Sequence, residues 1–158
     1  MPVQRPYNPD ARTMAKLIQA DLAKVNIKVN IVRDYEWTKF LALLAEGRHQ
    51  SVLLGWSADH PDPDNFFTPL LSCASALTGN NRTFWCNDAF DSLLSNALLI
   101  NDIEKRKQFY HQALNILADE MPLIPIAHSK RYQARKKTVK GEILNAFGGI
   151  DFTNVSKN

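Results

Sequence analysis

The chain has 158 residues, of which 45% are hydrophobic and 22% charged, and its formal net charge is +3 at pH 7. These values are typical of one globular domain with a sizeable core, and they exclude a disordered or fibrous chain. No apolar run approaches the ~20 residues that cross a bilayer, and no secretory leader follows Met1. The basic residues from Lys130 to Lys140 are interpreted as a solvated face, so we expect no nucleic-acid partner.

The first third of the chain alternates between helical and strand patterns. A capping side chain and a proline predict a helix from Asn8 to about Val25, whose apolar stripe should face the core. Alternating apolar residues predict a strand at 27–32, a second helix is predicted at 37–45, and 51–56 is typical of a buried strand. This order is the rhythm of a parallel sheet with crossover helices, so the expected fold class is α/β.

The remainder of the chain is predicted to be mostly helical. A short helical turn is expected at 66–71 and an amphipathic helix at 88–99. Asn101, with Glu104 three residues later, predicts the start of a long helix that Pro122 stops. Residues 123–127 are predicted as a last apolar strand, whereas the polar stretch and tail beyond it show little periodicity.

The strand at 51–56 leads into a loop predicted over 57–65, and this stretch is the strongest candidate for a site. Its residues 57–64 are called the acidic loop. Ligands of open α/β sheets bind outside the carboxyl ends of the strands. Two prolines stiffen the loop, and Trp56 provides a large aromatic group at the strand end. The alternative interpretation is a solvated acidic turn. The candidate ligand groups of the loop are Asp59, His60, Asp62 and Asp64.

The residue types favour binding over catalysis. No nucleophile elbow, phosphate-binding glycine loop or zinc-binding helix motif is present, so we expect no enzyme activity and no cofactor. The prolines should keep the acids from converging on a metal, which leaves a metal-dependent hydrolase as the alternative from the enzyme class. Asp59, Arg5 and Trp56 are the residue types that bind a zwitterion, although Arg5 is equally interpreted as a solvated loop arginine.

Cys73 and Cys86 flank a loop rich in small polar residues. Their spacing leaves a disulfide and two free thiols equally open. A disulfide would stabilise the fold by roughly 3 kcal/mol in the chain-entropy model and would require an oxidising compartment.

Four stretches of the sequence resemble a known family. They are PVQRPYNPDARTMAKLIQADLAKVNIKV, VLLGWSADHPDPDNFFTPLLSC, WC and MPLIPIAHS. They are similar to the C-terminal third of the bacterial periplasmic dipeptide- and oligopeptide-binding proteins, the receptors of peptide ABC importers. The Sap-type antimicrobial-peptide receptors and the haem-binding receptors belong to the same family. The resemblance implies a type II periplasmic binding protein fold, in which two lobes enclose the ligand at their hinge.

The resemblance also implies roles for individual residues. Asp59 matches the acid that binds the α-ammonium group of a peptide, and Arg5 matches the arginine that binds its carboxylate. Trp56 and Ser57, together with Gly55, match residues that line the site. Cys73 and Cys86 match the disulfide of the family.

The implied location is the periplasm of a Gram-negative bacterium, and the implied partners are short peptides and an inner-membrane ABC permease. Haem or cationic antimicrobial peptides are the alternative ligands, and the presence of Arg5 favours short peptides.

The resemblance further implies that the chain is a segment of a longer receptor. Residues 1–128 are expected to belong to the peptide-binding lobe, and residues 129–158 to cross the hinge and complete the other lobe. Without that lobe we expect weak or absent peptide binding, and a tail that is disordered or paired with a partner.

Overall fold

The computed structural model describes residues 10–32, 35–128, 130, 132–145 and 149–157. It divides into two compact units, Met1–Gly55 and Trp56–Asn158. The helices and strands of the described residues are α1 (Ala11–Ala23), α2 (Trp37–Ala45), α3 (Asp64–Leu71), α4 (Cys73–Thr78), α5 (Asp88–Leu99), α6 (Ile103–Glu120), β1 (Val139–Lys140) and β2 (Ser156–Lys157). None of the helices in the described part of the chain is long and apolar enough to cross a membrane.

Helix α1 of the first unit confirms the predicted helix but not its predicted burial. It is capped by Asp10, whose carboxylate accepts a hydrogen bond from the backbone N–H of Thr13 at 3.3 Å. The predicted cap, Asn8, lies outside the described residues. No residue of α1 is buried, and Leu17 is 62% exposed. The apolar stripe predicted as core is therefore only partly covered among the residues that the structure describes, with Met14 and Leu22 half-buried.

Helix α2 has the predicted bounds and contains the buried residues of the first unit, Phe40 and Leu44. The carboxylate of Glu36 caps it by accepting hydrogen bonds from the backbone N–H groups of Thr38 and Lys39. These two bonds lower the pKa of Glu36 because they stabilise its charged form. Gly47 follows the helix at a φ of 67°, as its predicted C-terminal position requires.

The core of the second unit lies between α3, α5 and α6. Burial follows the predicted amphipathic pattern in part, because Leu98 and Leu114 of the predicted apolar faces are 54% and 47% exposed. Phe67 stacks on Tyr110 at a centroid distance of 5.5 Å and lies edge-on to Phe90 at 6.1 Å. Helix α6 starts one residue later than predicted, because the carboxylate of Asp102, rather than Asn101, accepts the backbone N–H groups of Glu104 and Lys105. The buried cluster comprises Leu71, Phe90, Leu94, Ala97, Tyr110 and Ala113.

Cys73 and Cys86 form a disulfide, as the resemblance implies. The cystine loop, residues 73–86, contains the unpredicted helix α4 and surrounds the fully buried side chain of Asn81. The backbone N–H of Cys73 donates to Asp91 of α5 at 3.1 Å, and the indole N–H of Trp85 donates to Glu120 of α6. These contacts attach the loop to the helical core.

The three segments predicted as strands, 27–32, 51–56 and 123–127, form no ladder among the described residues. A strand exists only when a neighbour supplies hydrogen bonds to its backbone, and no described segment pairs with these three. The ladder that the structure does describe is antiparallel and joins β1 to β2, with an isolated bridge between Leu144 and Ile150. The tail thus pairs with itself, which differs from the expected disorder or pairing with a partner.

Candidate functional site

The acidic loop ends where helix α3 begins, and Asp62 caps the start of that helix. Its Oδ1 atom accepts a hydrogen bond from the backbone N–H of Asp64 at 2.9 Å, which satisfies one of the unpaired donors at the helix start. Asp64 in turn accepts a hydrogen bond from the hydroxyl of Thr68, one turn later, at 2.5 Å. Two of the four predicted ligand groups are therefore engaged in starting the helix.

Asn65, in the first turn of α3, organises the preceding loop. Its side-chain Oδ1 accepts the backbone N–H of Asp59 at 2.9 Å, and its amide nitrogen lies 3.0 Å from Nε2 of His60. Its backbone carbonyl accepts the indole N–H of Trp56 at 2.8 Å. Because Asn65 is only 9% exposed, its own polar groups are largely shielded from water, whereas Asp59 and His60 are exposed. One buried residue thus fixes the conformation of the loop at three points.

Asp59 is held by its backbone, while its side chain is exposed. Its carboxylate has no hydrogen-bond or ion-pair partner among the described residues, whereas its backbone N–H is bonded to Asn65. A carboxylate presented from a fixed backbone can pair with an incoming cation without first breaking an internal contact. Binding of an ammonium group by Asp59 stays a prediction.

Asp62 connects the loop to helix α6 through Arg106. Atom Nη2 of Arg106 lies 2.7 Å from Oδ2 and 2.9 Å from Oδ1 of Asp62, and it also donates to the hydroxyl oxygen of Tyr110 at 3.0 Å. The Nε–H group of Arg106 donates to the carbonyl of Ala97 at the end of α5. The loop is therefore anchored to both long helices of the second unit.

This ion pair shifts the pKa values of its members. Burial alone raises the pKa of Asp62, but the hydrogen bonds from Asp64 and Arg106 and the positive charge of Arg106 outweigh burial and lower it. The hydrogen bond to Asp62 raises the pKa of Arg106. Burial and the charge of Asp62 raise the pKa of Tyr110, which stays a neutral hydrogen-bonding phenol. The arrangement is a fixed ion pair at neutral pH.

The four predicted ligand groups of the loop do not gather around a common point. Among the described residues, the one group of three metal-ligating side chains comprises Cys73, Cys86 and Asp88, and its two sulfur atoms are joined in the disulfide. A groove of about 400 Å³ lies between Pro63 and helix α6, and neither Asp59 nor Trp56 lines it. The four side chains of the loop therefore act separately and do not form one metal site in the described part of the chain.

The other predicted site residues have different outcomes. Trp56 is half-buried and anchored by its indole nitrogen, Ser57 is exposed, and the half-buried Gly55 is the last residue of the first unit. Arg5 lies outside the described residues.

Asn65 and Arg106 were missed from the sequence. Pro69, inside the predicted helical turn, was a usable signal for Asn65. A proline has no backbone N–H to donate to the carbonyl four residues before it. Arg106 is 44 residues from Asp62, and no local pattern marks it.

Comparison with known proteins shows what the chain is similar to. Residues 3–77 match the sequence profile of the bacterial extracellular solute-binding proteins, family 5, middle region. The dipeptide-binding protein of Escherichia coli (strain K12) is 46% identical over 99% of this chain and 29% of its own length. The peptide transport periplasmic protein SapA of Salmonella typhimurium (strain LT2) is 43% identical over 96% of this chain and 27% of its own length.

A solved structure gives the same result. The dipeptide-binding protein of Pseudoalteromonas sp. SM9913, in complex with Met-Leu, matches with a TM-score of 0.85 and 51% identity, over 99% of this chain and 31% of that chain. These matches confirm the predicted resemblance and the type II periplasmic binding protein fold. The chain is thus similar in sequence and in fold to a part of the family 5 extracellular solute-binding proteins. It spans about 29% of the length of the dipeptide-binding relative from Escherichia coli.

Proposed function

We propose that this chain is the ligand-contacting part of the substrate-binding component of a peptide ABC importer, and that Asp59 binds the α-ammonium group of a short peptide. The observation that carries the proposal is the exposed carboxylate of Asp59, which has no internal partner in the described part of the chain while its backbone is fixed by Asn65. A cationic ligand group supplies the missing partner.

Trp56 supports the same proposal. Its indole nitrogen is already bonded to Asn65, so the orientation of the ring, three residues before Asp59, is fixed. The ring provides an apolar wall without a conformational cost on binding. Gly55 and Ser57, on either side of Trp56, complete the proposed lining. Arg5 is the proposed partner of the peptide carboxylate.

Recognition of an ammonium group explains why such a receptor closes only around ligand. An enclosed carboxylate without a partner is costly to desolvate, whereas a bound ammonium group compensates it. Ligand therefore shifts the population toward the closed state because it interacts more strongly with that state. This mechanism requires two lobes, and we propose that residues 1–128 belong to the peptide-binding lobe and residues 129–158 lead to the other.

The proposed location is the periplasm, and the proposed partner in transport is an inner-membrane permease. Two observations support the location: the disulfide between Cys73 and Cys86, which persists in oxidising compartments, and the periplasmic relative SapA. The role is binding without chemical conversion, since the matched relatives are solute-binding proteins.

The test is calorimetric titration of a chimaeric receptor in which these 158 residues replace the matching segment of the Escherichia coli dipeptide-binding protein. We expect Met-Leu to bind, and Asp59→Asn to weaken it by about 10- to 100-fold, the range for a hydrogen bond to a charged group. N-acetyl-Met-Leu should bind weakly to both proteins. The exposed Asp88, on the same unit, provides a control through Asp88→Asn, which should leave the affinity unchanged.

The same titration separates the alternative function. A Sap-type receptor is the alternative, and the observation that supports it is the 43% identity to SapA. Binding of haem or of a long cationic peptide, unaffected by Asp59→Asn and without any binding of Met-Leu, would establish that the scaffold is assigned correctly and the ligand is not.

A further inference from the structure

Helix α3 contains a proline at a position where its effect on the backbone is specific. Pro69 lies inside the helix, four residues after Asn65. In a regular α-helix the N–H of residue 69 would donate to the carbonyl of residue 65, and proline has no N–H. The carbonyl of Asn65 thus lacks its donor within the helix, and the indole N–H of Trp56 donates to it at 2.8 Å.

The side chain of Asn65 makes the complementary contacts on the same loop. A backbone N–H can only donate, so the atom that accepts from Asp59 is the amide oxygen, and the amide nitrogen faces His60. Nε2 of His60 must then accept, which places the ring proton on Nδ1. Trp56, Asp59 and His60 therefore converge on one residue through three independent bonds.

We infer that Asn65 and Pro69 are positioning residues of the ligand site, in which Pro69 keeps the carbonyl of Asn65 available for Trp56 while the Asn65 side chain fixes the backbone of Asp59. The inference rests on the proposed function, because it assigns a role in holding the ammonium-binding acid and its aromatic wall. Neither residue needs to touch the ligand.

Substitution of the proline provides a test with opposite effects on stability and on the loop. Pro69→Ala restores a backbone N–H that competes with the indole of Trp56 for one carbonyl. In the 158-residue chain we expect faster hydrogen exchange at the Trp56 indole by NMR, together with a thermal midpoint that is unchanged or higher, since a helix-interior proline has been removed. Pro122→Ala, which lies after α6 and outside any helix, is the matched control and should leave the indole exchange unchanged.

A double substitution tests whether Pro69 acts through Trp56. Trp56→Phe removes the indole donor and keeps an aromatic ring. If both residues act through one hydrogen bond, Pro69→Ala should have no further effect on binding in the Trp56→Phe background. Additive losses would contradict the inference.

The closing experiment measures selectivity in the chimaeric receptor, as the ratio of the affinities for Met-Leu and for N-acetyl-Met-Leu. Asn65→Leu should reduce this ratio about tenfold, and Pro69→Ala by a smaller factor of about three, as expected for a lost or shared hydrogen bond. A merely structural role would weaken both peptides equally and leave the ratio unchanged, which would overturn the inference. If the unsubstituted receptor shows no preference for the free amine, the proposed function fails instead, and the two failures are distinguished.

Discussion

Two loops of the second unit are each built around a buried asparagine, and the two differ in what they leave unpaired. In the cystine loop, the amide nitrogen of Asn81 donates to the carbonyls of Ser72 and Trp85, and its oxygen accepts from the backbone N–H and the hydroxyl of Thr83. Every bond of this side chain stays within the loop and its base, and the disulfide closes the loop covalently.

The acidic loop is also organised by a buried asparagine, Asn65, but one of its acids has no partner in the described part of the chain. Asn65 also satisfies its amide, but the residue it fixes, Asp59, carries an exposed carboxylate without a partner among the described residues. A buried amide rigidifies a loop in both cases. The proposed ligand site therefore differs from the cystine loop in its acid, Asp59, which the network holds in place and does not neutralise.

The largest expected effect comes from opening the cystine loop. Replacing both cysteines, Cys73→Ser and Cys86→Ser, should lower the free energy of unfolding by about 3 kcal/mol, because the unfolded chain regains the entropy of the closed loop. Urea denaturation measures this loss. The chemical shift of the Trp56 indole N–H should not change, since Asn65 and not the disulfide positions the ring. A change in that shift would show that the two loops are not independent.

The second prediction compares the loss of each buried asparagine. Asn81→Ala should cost about 2–3 kcal/mol of stability because two carbonyls lose their donors inside the loop. Asn65→Ala should cost about 1 kcal/mol, since Asp59 and His60 are exposed and can bond to water instead. Parallel urea titrations measure the difference. Equal losses would mean that the two asparagines have the same structural role.

The third prediction concerns the anchor between the loop and α6. Arg106→Met should destabilise the fold by about 1–2 kcal/mol, between the values for exposed and for buried ion pairs, because the side chains of Arg106 and Asp62 are 26% and 27% exposed. Lys107→Met is the control, as its pair with Glu104 is exposed and should contribute almost nothing. A loss no larger than that of the control would show that the loop does not depend on this anchor.

The smallest expected effect is on the pH dependence of stability. The folded pKa of Asp62 lies below its ordinary value of 3.8, so its contribution is present above that pH and is lost as the pH falls through the folded pKa. Between about pH 5 and pH 3, Asp62→Asn should therefore lose less stability than the unsubstituted chain, by less than about 1 kcal/mol. Urea midpoints at the two pH values test this, and identical acid dependence in both proteins would contradict it.

The sequence predicted those features that depend on neighbouring residues. Helix α5 has the predicted bounds, and Asn87 caps its start by accepting the backbone N–H of the buried Phe90. For α6 the pattern was right and the cap was wrong by one residue, since Asn101 and Asp102 are both suitable capping residues.

Features that depend on distant residues were not predictable in this way. The apolar runs at 27–32 and 51–56 resemble strands, but a ladder also requires neighbours, and the described residues provide none. At the site, Asp59 and Trp56 were predicted from residue type and resemblance. The network that holds them was not, because Asn65 acts across a loop and Arg106 lies 44 residues from Asp62 in the sequence.

The proline of α3 has a consequence for protein engineering. Loop grafting usually transfers the residues that contact a ligand, here those around Asp59. The bond from the Trp56 indole exists because a helical carbonyl nine residues later has lost its donor to Pro69. A graft that ended at residue 64 would carry the proposed recognition residues into a host whose corresponding helical carbonyl already accepts a backbone N–H. Residues 56–69 are therefore the smallest segment whose transplantation should preserve the local geometry.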